Sequence, residues 1–160
     1  MADLRPLRDT DVGDVLSLNE HNVVKLAPMD EARLHELRDL ADRFDVVDVD
    51  GQFAGFVITF GPGTAYDSEN YRWFTERHGR DGFYYLDRIV LSDRFRRQGL
   101  GTFVYDEVEK TATPYGRLSL EVNVEPPNEP SLAFHRSRGY VEVGRLGDDG
   151  HVVALMEKTL

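Results

Sequence analysis

The 160-residue chain contains no cysteine, one tryptophan and three methionines. The missing thiol excludes disulfides, thiolate metal sites and cysteine nucleophiles, and it favours a cytoplasmic location. Basic side chains are in deficit: 19 Lys and Arg stand against 29 Asp and Glu, for a net charge of −10. Such a surface disfavours nucleic acid and anionic membranes as partners and suits a cationic small molecule such as an amine. No apolar run reaches membrane-spanning length, and the opening Met-Ala-Asp-Leu-Arg-Pro lacks a signal-peptide pattern. The five histidines are scattered. Glu31 and His35 share a helix face but have no third ligand nearby, so no metal site is expected. Neither a Gly-x-Ser-x-Gly elbow nor a Gly-Lys-Ser/Thr phosphate loop occurs.

What is present reads as alternating strands and helices. Leu4 to Leu7 forms a short strand, and Arg8 to Asp11 starts a helix with Val12, Val15, Leu16 and Val23 on its apolar face. Asp30 caps a second helix that carries Leu34, Leu37, Ala41 and Phe44. Val46–Val49 and Phe53–Phe60 flank Asp50-Gly51, a hairpin signal. Residues 62–82 form an excursion rich in aromatics, either a short helix packed on the sheet or the wall of an acceptor pocket. Tyr84–Leu91 is a buried strand, Leu118–Val122 an alternating one, and Ser131–Arg138 a short helix ending at Gly139. Val141–Leu146 and His151–Met156 close the chain as a hairpin over Asp148-Asp149-Gly150. No repeat or linker interrupts the order, so a single domain over 1–160 is expected. It is an α/β (α+β) fold, with helices on the faces of a mixed, mostly antiparallel sheet.

Arg96-Arg97-Gln98-Gly99-Leu100-Gly101-Thr102 lies where the strand Tyr84–Leu91 gives way to a helical pattern. A helix N-terminus offers unpaired N–H groups and a positive dipole end, and glycine permits close approach of an anion. The spacing Arg-x-x-Gly-x-Gly resembles the coenzyme A pyrophosphate loop of the GNAT N-acetyltransferase superfamily. A second signature stands downstream: Asn128, Ser131, Phe134-His135 and Gly139-Tyr140 resemble the family's Asn, small residue, aromatic pair and Gly-Phe. The element order matches along nearly the whole chain. The segments around Tyr66–Phe74, Glu121–Asn128 and Phe134–Tyr140 look like a bacterial subgroup of acetyltransferases.

That resemblance implies a GNAT fold splayed at its central strands, with acetyl-CoA as cofactor. Backbone at Ile89, Val90 and Leu91 would hold the pantetheine arm and thioester at a bulge. Amides from Arg96, Arg97, Gln98, Gly99, Leu100 and Gly101, with the Thr102 hydroxyl, would hold the pyrophosphate. Asn128 and Ser131 would contact pantetheine, and Phe134 would flank it. His135 stands where the family commonly has the tyrosine that protonates the departing thiolate. The ring is either that acid or a packed neighbour, with Tyr84, Tyr85 and Tyr105 as unranked substitutes. Dimers are common in the family, and the last hairpin offers a homodimer contact.

The chemistry then needs a base. Reaching the neutral form of a lysine-like amine at pH 7 costs about 4.6 kcal/mol. Glu121 and then Asp87 are the candidates, with half of an ion pair as the alternative for each, Asp87 with Arg88 or a more distant arginine. Asn123 is a polar neighbour for the acceptor, and Tyr66, Tyr71 and Trp73 are candidate walls. The expected function is acetyl transfer from acetyl-CoA to a primary amine, by direct attack in a ternary complex. A small-molecule acceptor comes first. The alternatives are acetylation of a protein lysine or N-terminus, and a non-catalytic acyl-CoA-binding module.

Overall fold

Asp50 and Gly51 both adopt left-handed backbone, with φ of 51° and 85°. They form the two-residue turn that the hairpin signal requires, joining β2 (Arg43–Val49) to β3 (Gln52–Phe60). The structure is a computed structural model that describes residues 1–23 and 26–160. β1 (Ala2–Pro6) lies antiparallel to β2, and its Arg5 is the fastener. The guanidinium grips Asp11 through two bonds of 2.8 and 3.0 Å and Asp48 through a third of 3.0 Å. This pairing holds both carboxyls below the usual aspartate range. Asp11 ends a 3₁₀ turn that leads into α1 (Val12–His21), so the ion pair also sets where that helix begins.

The ends of the first two helices differ from expectation. α1 ends at His21, so Val23 lies beyond it. α2 (Glu31–Leu40) starts where expected, with Asp30 accepting from the Arg33 N–H at 2.7 Å, but it stops before Ala41. Ala41 turns to extended backbone, and Phe44 enters β2 to stack on Phe56 of β3 at 6.1 Å. Strand pairing overrides helical spacing there.

Two compact units make up the chain, Met1–Phe60 with Leu86–Thr111 and Gly61–Tyr85 with Ala112–Leu160. β4 (Tyr84–Leu91) contributes to both. In the first unit β1, β2, β3 and the Leu86–Leu91 part of β4 lie in that order, with α4 (Leu100–Ala112) following a 3₁₀ turn at Asp93–Phe95. In the second, Tyr84 and Tyr85 pair in parallel with Leu118 and Ser119 of β5 (Arg117–Glu125). β7 (His151–Thr159) runs antiparallel to β5, and β6 (Val141–Asp148) forms the edge. α3 (Glu69–His78) fills the aromatic excursion, and α5 (Glu129–Ser137) follows β5. The result is a seven-stranded mixed sheet, antiparallel except at β4–β5.

β3 carries one extra residue against β2: Val47 faces Gly55 and Asp48 faces Phe53, leaving Ala54 as the bulge. The Ala54 carbonyl accepts the Ser92 N–H at 2.8 Å, and Gly55 lies directly against the β4 backbone. A Cβ on Gly55 would run into the Val90 carbonyl and come within 3.0 Å of the Leu91 Cα. Backbone cannot yield as a side chain can, so Gly55→Ala is expected to destabilise the protein by about 3 kcal/mol. Urea denaturation of the variant measures this directly.

Candidate active site

In the first unit the sequence after β4 builds an open helix start. Ser92 Oγ accepts from the Arg94 N–H, and Arg96 Nε donates to Asp93 Oδ1 at 3.1 Å. Arg97 and Gly99 take left-handed backbone, with φ of 62° and 70°. A Cβ on Gly99 would meet nothing within 4 Å, so conformation rather than crowding favours glycine there. The Gly99 carbonyl accepts from the Phe103 N–H at 3.0 Å and opens α4. Leu100, Val104 and Val108 are buried and hold the helix down, while Arg96, Arg97, Gln98 and Gly99 are exposed. The first-turn N–H groups, including those of Gly101 and Thr102, therefore face a surface flanked by cationic side chains, which suits an anion of pyrophosphate type. Upstream on β4, Val90 is buried while Ile89 and Leu91 are half-buried.

Asp87 takes the ion-pair alternative. Its Oδ2 accepts from Arg88 Nε at 2.7 Å, with both side chains buried. Arg88 Nη1 also donates to Asn19 Oδ1 at 3.1 Å and to the Ala27 carbonyl at 3.2 Å, tying β4 to the end of α1.

The second unit gathers the other candidates on one face of β5. Alternation along that strand puts Leu118, Leu120 and Val122 on one side and Arg117, Ser119, Glu121 and Asn123 on the other. Tyr85 is fully buried, and its hydroxyl donates to Glu121 Oε2 at 2.6 Å. Around it stand the rings of Tyr71 at 5.4 Å, Phe74 at 6.1 Å and Tyr66 at 6.4 Å. Ser68 caps α3, and the Tyr71 hydroxyl donates to the Gly61 carbonyl at 2.7 Å, pinning the loop before that helix. Tyr66 remains half-buried in that loop. Trp73 goes elsewhere: its indole lies against Gly144 of β6, under the Arg77 guanidinium.

α5 is organised by its first turn. Asn128 caps it, with Oδ1 accepting from the Ser131 N–H at 3.4 Å. The Ser131 carbonyl in turn faces His135 Nδ1 at 2.6 Å. A carbonyl can only accept, so Nδ1 carries the proton. Phe134 and Tyr140 meet the imidazole edge-on at 5.5 and 5.4 Å. Burial pushes the His135 pKa below 6.5, the Ser131 carbonyl opposes the shift in part, and the Arg138 charge reinforces it. At pH 7 the ring is neutral. Among the described residues no cluster of His, Asp and Glu is arranged to hold a metal ion, and no helix is long and apolar enough to cross a membrane.

Residues 13–140 match the family described as "Acetyltransferase (GNAT) family". The chain belongs to that family. A GNAT relative, the phosphinothricin N-acetyltransferase of Streptomyces viridochromogenes, is 29% identical over 120 residues. The match covers 74% of this chain and 58% of the relative, so the chain spans under two thirds of that protein. Among solved structures, Ard1 from Thermoplasma volcanium aligns with a TM-score of 0.75 at 18% identity, covering 99% of this chain and 97% of that one. The ribosomal-protein-alanine N-acetyltransferase from Brucella melitensis aligns at 0.71 and 21% identity, covering 99% of both. At these identities the likenesses establish the GNAT fold.

Within this GNAT chain the structure brings Tyr66 and Tyr71 to Tyr85, and Tyr85 to Glu121. It sets Asn128, Ser131, Phe134 and His135 along α5 or at its cap. The sequence does not rank Tyr85 against Tyr84 and Tyr105, because the apolar run Tyr84–Leu86 shows no alternation that would assign its face.

The neutral, buried His135 has a consequence for stability. Below pH 6.5 the unfolded chain binds a proton that the folded chain resists until its lowered pKa is reached. Stability is therefore full above about pH 6.5 and falls as the pH drops toward that lower value. Melting temperature should decline between pH 7.5 and 5.5, and the decline should be smaller in His135→Gln.

Proposed function

We propose that this protein transfers an acetyl group from acetyl-CoA to a primary amine of a small molecule, by direct attack in a ternary complex. The observation that carries the reading is the 2.6 Å bond between the Tyr85 hydroxyl and Glu121, set beneath aromatic rings on the polar face of β5. Membership of the GNAT family supports acetyl transfer, and the relative's name, a phosphinothricin N-acetyltransferase, supports N-acetylation and a small acceptor.

The residues present fit acetyl-CoA. In the first unit the exposed start of α4, with Gly99 left-handed and Arg96 and Arg97 beside it, suits the pyrophosphate. Ile89, Val90 and Leu91 are the backbone assigned to the thioester arm. In the second unit Asn128, Ser131 and Phe134 are assigned to pantetheine. When bound, acetyl-CoA supplies an activated acetyl thioester.

The chain's own task is to deliver an uncharged nitrogen. An acceptor ammonium of lysine type must shed a proton at a cost of about 4.6 kcal/mol at pH 7. Glu121, oriented by the Tyr85 phenol, receives that proton directly or through one water. Tyr66 offers a ring face to the approaching cation, Tyr71 braces it, and Asn123 supplies a polar contact. His135 is neutral with Nδ1–H committed to Ser131, so it braces α5 and is not assigned as the acid. Asp87 is likewise assigned to its ion pair with Arg88 and not to the base. Among cytoplasmic solutes a primary amine of net positive charge suits the chain's charge of −10.

Release of free CoA from acetyl-CoA across a panel of amines, amino acids and polyamines tests the activity. Acceptor-dependent release is expected, with a product heavier by one acetyl. Silence across the panel with acetyl-CoA still bound would replace this reading by the non-catalytic module or a protein acceptor. With the acceptor found, Glu121→Gln is expected to lower kcat by about 10² to 10³-fold with little change in KM for acetyl-CoA. For the loop, Gly99→Glu combines an unfavourable left-handed φ with negative charge at a helix N-terminus. Calorimetry should show acetyl-CoA affinity reduced by about tenfold or more; unchanged affinity would remove the loop assignment.

A further inference from the structure

Acetylation of an ammonium by acetyl-CoA yields an amide, the free thiol and one proton. A base that accepts this proton must pass it on before the next turnover. On the proposed reading Glu121 is that base, and it stands next to the fully buried Tyr85. The structure offers a route from there that the reaction chemistry alone does not specify.

Ser119 lies two residues before Glu121 on the same face of β5 and is fully buried. Its hydroxyl has no hydrogen-bond partner among the described residues, and neither does Arg117 Nε on the same face. Two buried polar atoms without partners, side by side, are unusual in a native interior, and water is the ordinary remedy. Register places Ser119 opposite Tyr85 on one side and opposite Glu157 of β7 on the other. Residues i and i+2 of a strand lie about 6.6 Å apart, a gap that one water can bridge between a serine hydroxyl and a carboxylate.

Beyond Ser119 the polar track continues. Glu157 is buried, its Oε2 lies 2.6 Å from His78 Nε2, and Arg77 and Arg117 are each 3.6 Å from its other oxygen. The His78 side chain, at the end of α3, is 10% exposed and opens the track to solvent. The groups facing this track are therefore Tyr85, Arg117, Glu121 and Glu157 from the strands, with Arg77 and His78 from α3.

We propose that Ser119 seats a buried water joining the Tyr85–Glu121 pair to the Glu157–His78 pair, so that the acceptor's proton leaves beneath α3. The step balances. The N–H bond of the ammonium breaks, Glu121 takes the proton, and the water relays it to Glu157. Glu157 hands it to the lone pair of His78 Nε2, and the Nδ1–H of the same ring leaves to solvent, one proton out for each one in. Ser119 is a positioning residue, acting through the water it holds.

The test has a structural and a kinetic arm. A high-resolution crystal structure is expected to show an ordered water within hydrogen-bond distance of Ser119 Oγ and of a carboxylate of Glu121 or Glu157. A dry Ser119 overturns the proposal whether or not an acceptor has been found. In dilute buffer, Ser119→Ala should lower kcat by about tenfold and make it rise with added imidazole, with acetyl-CoA affinity unchanged. Ser119→Thr, which keeps the hydroxyl, should restore most of the rate. An alanine variant with wild-type kcat and no buffer dependence overturns the path while leaving Glu121 in place. Full turnover by Glu121→Gln instead overturns the base assignment, and the path with it.

Discussion

A buried phenol must find an acceptor, and much of the second unit follows from where Tyr85 finds one. Leaving such a hydroxyl unpaired costs about 1–3 kcal/mol. Its bond to Glu121 answers that demand and at the same time holds a carboxylate at a defined place on β5. The ring itself is clamped by Tyr71 and Phe74, and Tyr71 is in turn pinned through its hydroxyl to the Gly61 carbonyl. Position is thus transmitted from a loop carbonyl, through two aromatic rings, to the group proposed as base. Preorganisation of this kind is what direct attack, the proposed route, requires of a chain without a cysteine nucleophile.

β5 separates the two jobs by parity. Its even-numbered residues Leu118, Leu120 and Val122 are buried and supply core, while Arg117, Ser119, Glu121 and Asn123 present polar side chains on the other face. The period of two made this division readable from sequence, and Glu121 with it. Tyr84–Leu91 carries no such information at its start: three consecutive buried residues, Tyr84, Tyr85 and Leu86, hide which face each side chain takes. Only pairing with β5 reveals that Tyr85 shares the face of Glu121. The missing half of the central pair was therefore a register fact.

Turn and cap chemistry was the most readable part of the fold. Asp50-Gly51, the Asp30 cap and the Gly139 stop act through one or two residues of local geometry, and each appears as expected. The last turn is tighter than the sequence suggests, since Asp149 and Gly150 alone make it and Asp148 still pairs with His151. Boundaries that depend on partners were less readable. Phe44 fits the apolar face of α2 by spacing, yet stacking on Phe56 draws it into β2. Trp73 groups with the pocket aromatics by sequence, and its indole lies edge-on to Phe74 and against Gly144. Asn128 illustrates a residue with two vocations. Its cap on α5 is visible in the structure, while its assigned pantetheine contact rests on the family.

The polar face of β5 also reconciles two opposed requirements. An aromatic surround would strengthen the electrostatics by which Glu121, on the proposed reading, takes a proton, because low dielectric magnifies every charge–charge and charge–dipole term. The same surround would slow that proton's departure after each turnover. An entirely apolar floor would satisfy the first need and fail the second, while an open, solvated floor would do the reverse. Ser119, the Arg117 Nε and Glu157 form an intermediate arrangement: buried polar groups that end at His78 near the surface. Unsatisfied polar atoms in a core cost stability, so their persistence beside a proton acceptor argues for function over packing. The protonation state of His135 fits the same logic. Its ring is kept neutral by burial and bound to its own helix, so on the proposed reading proton transfer falls to Glu121.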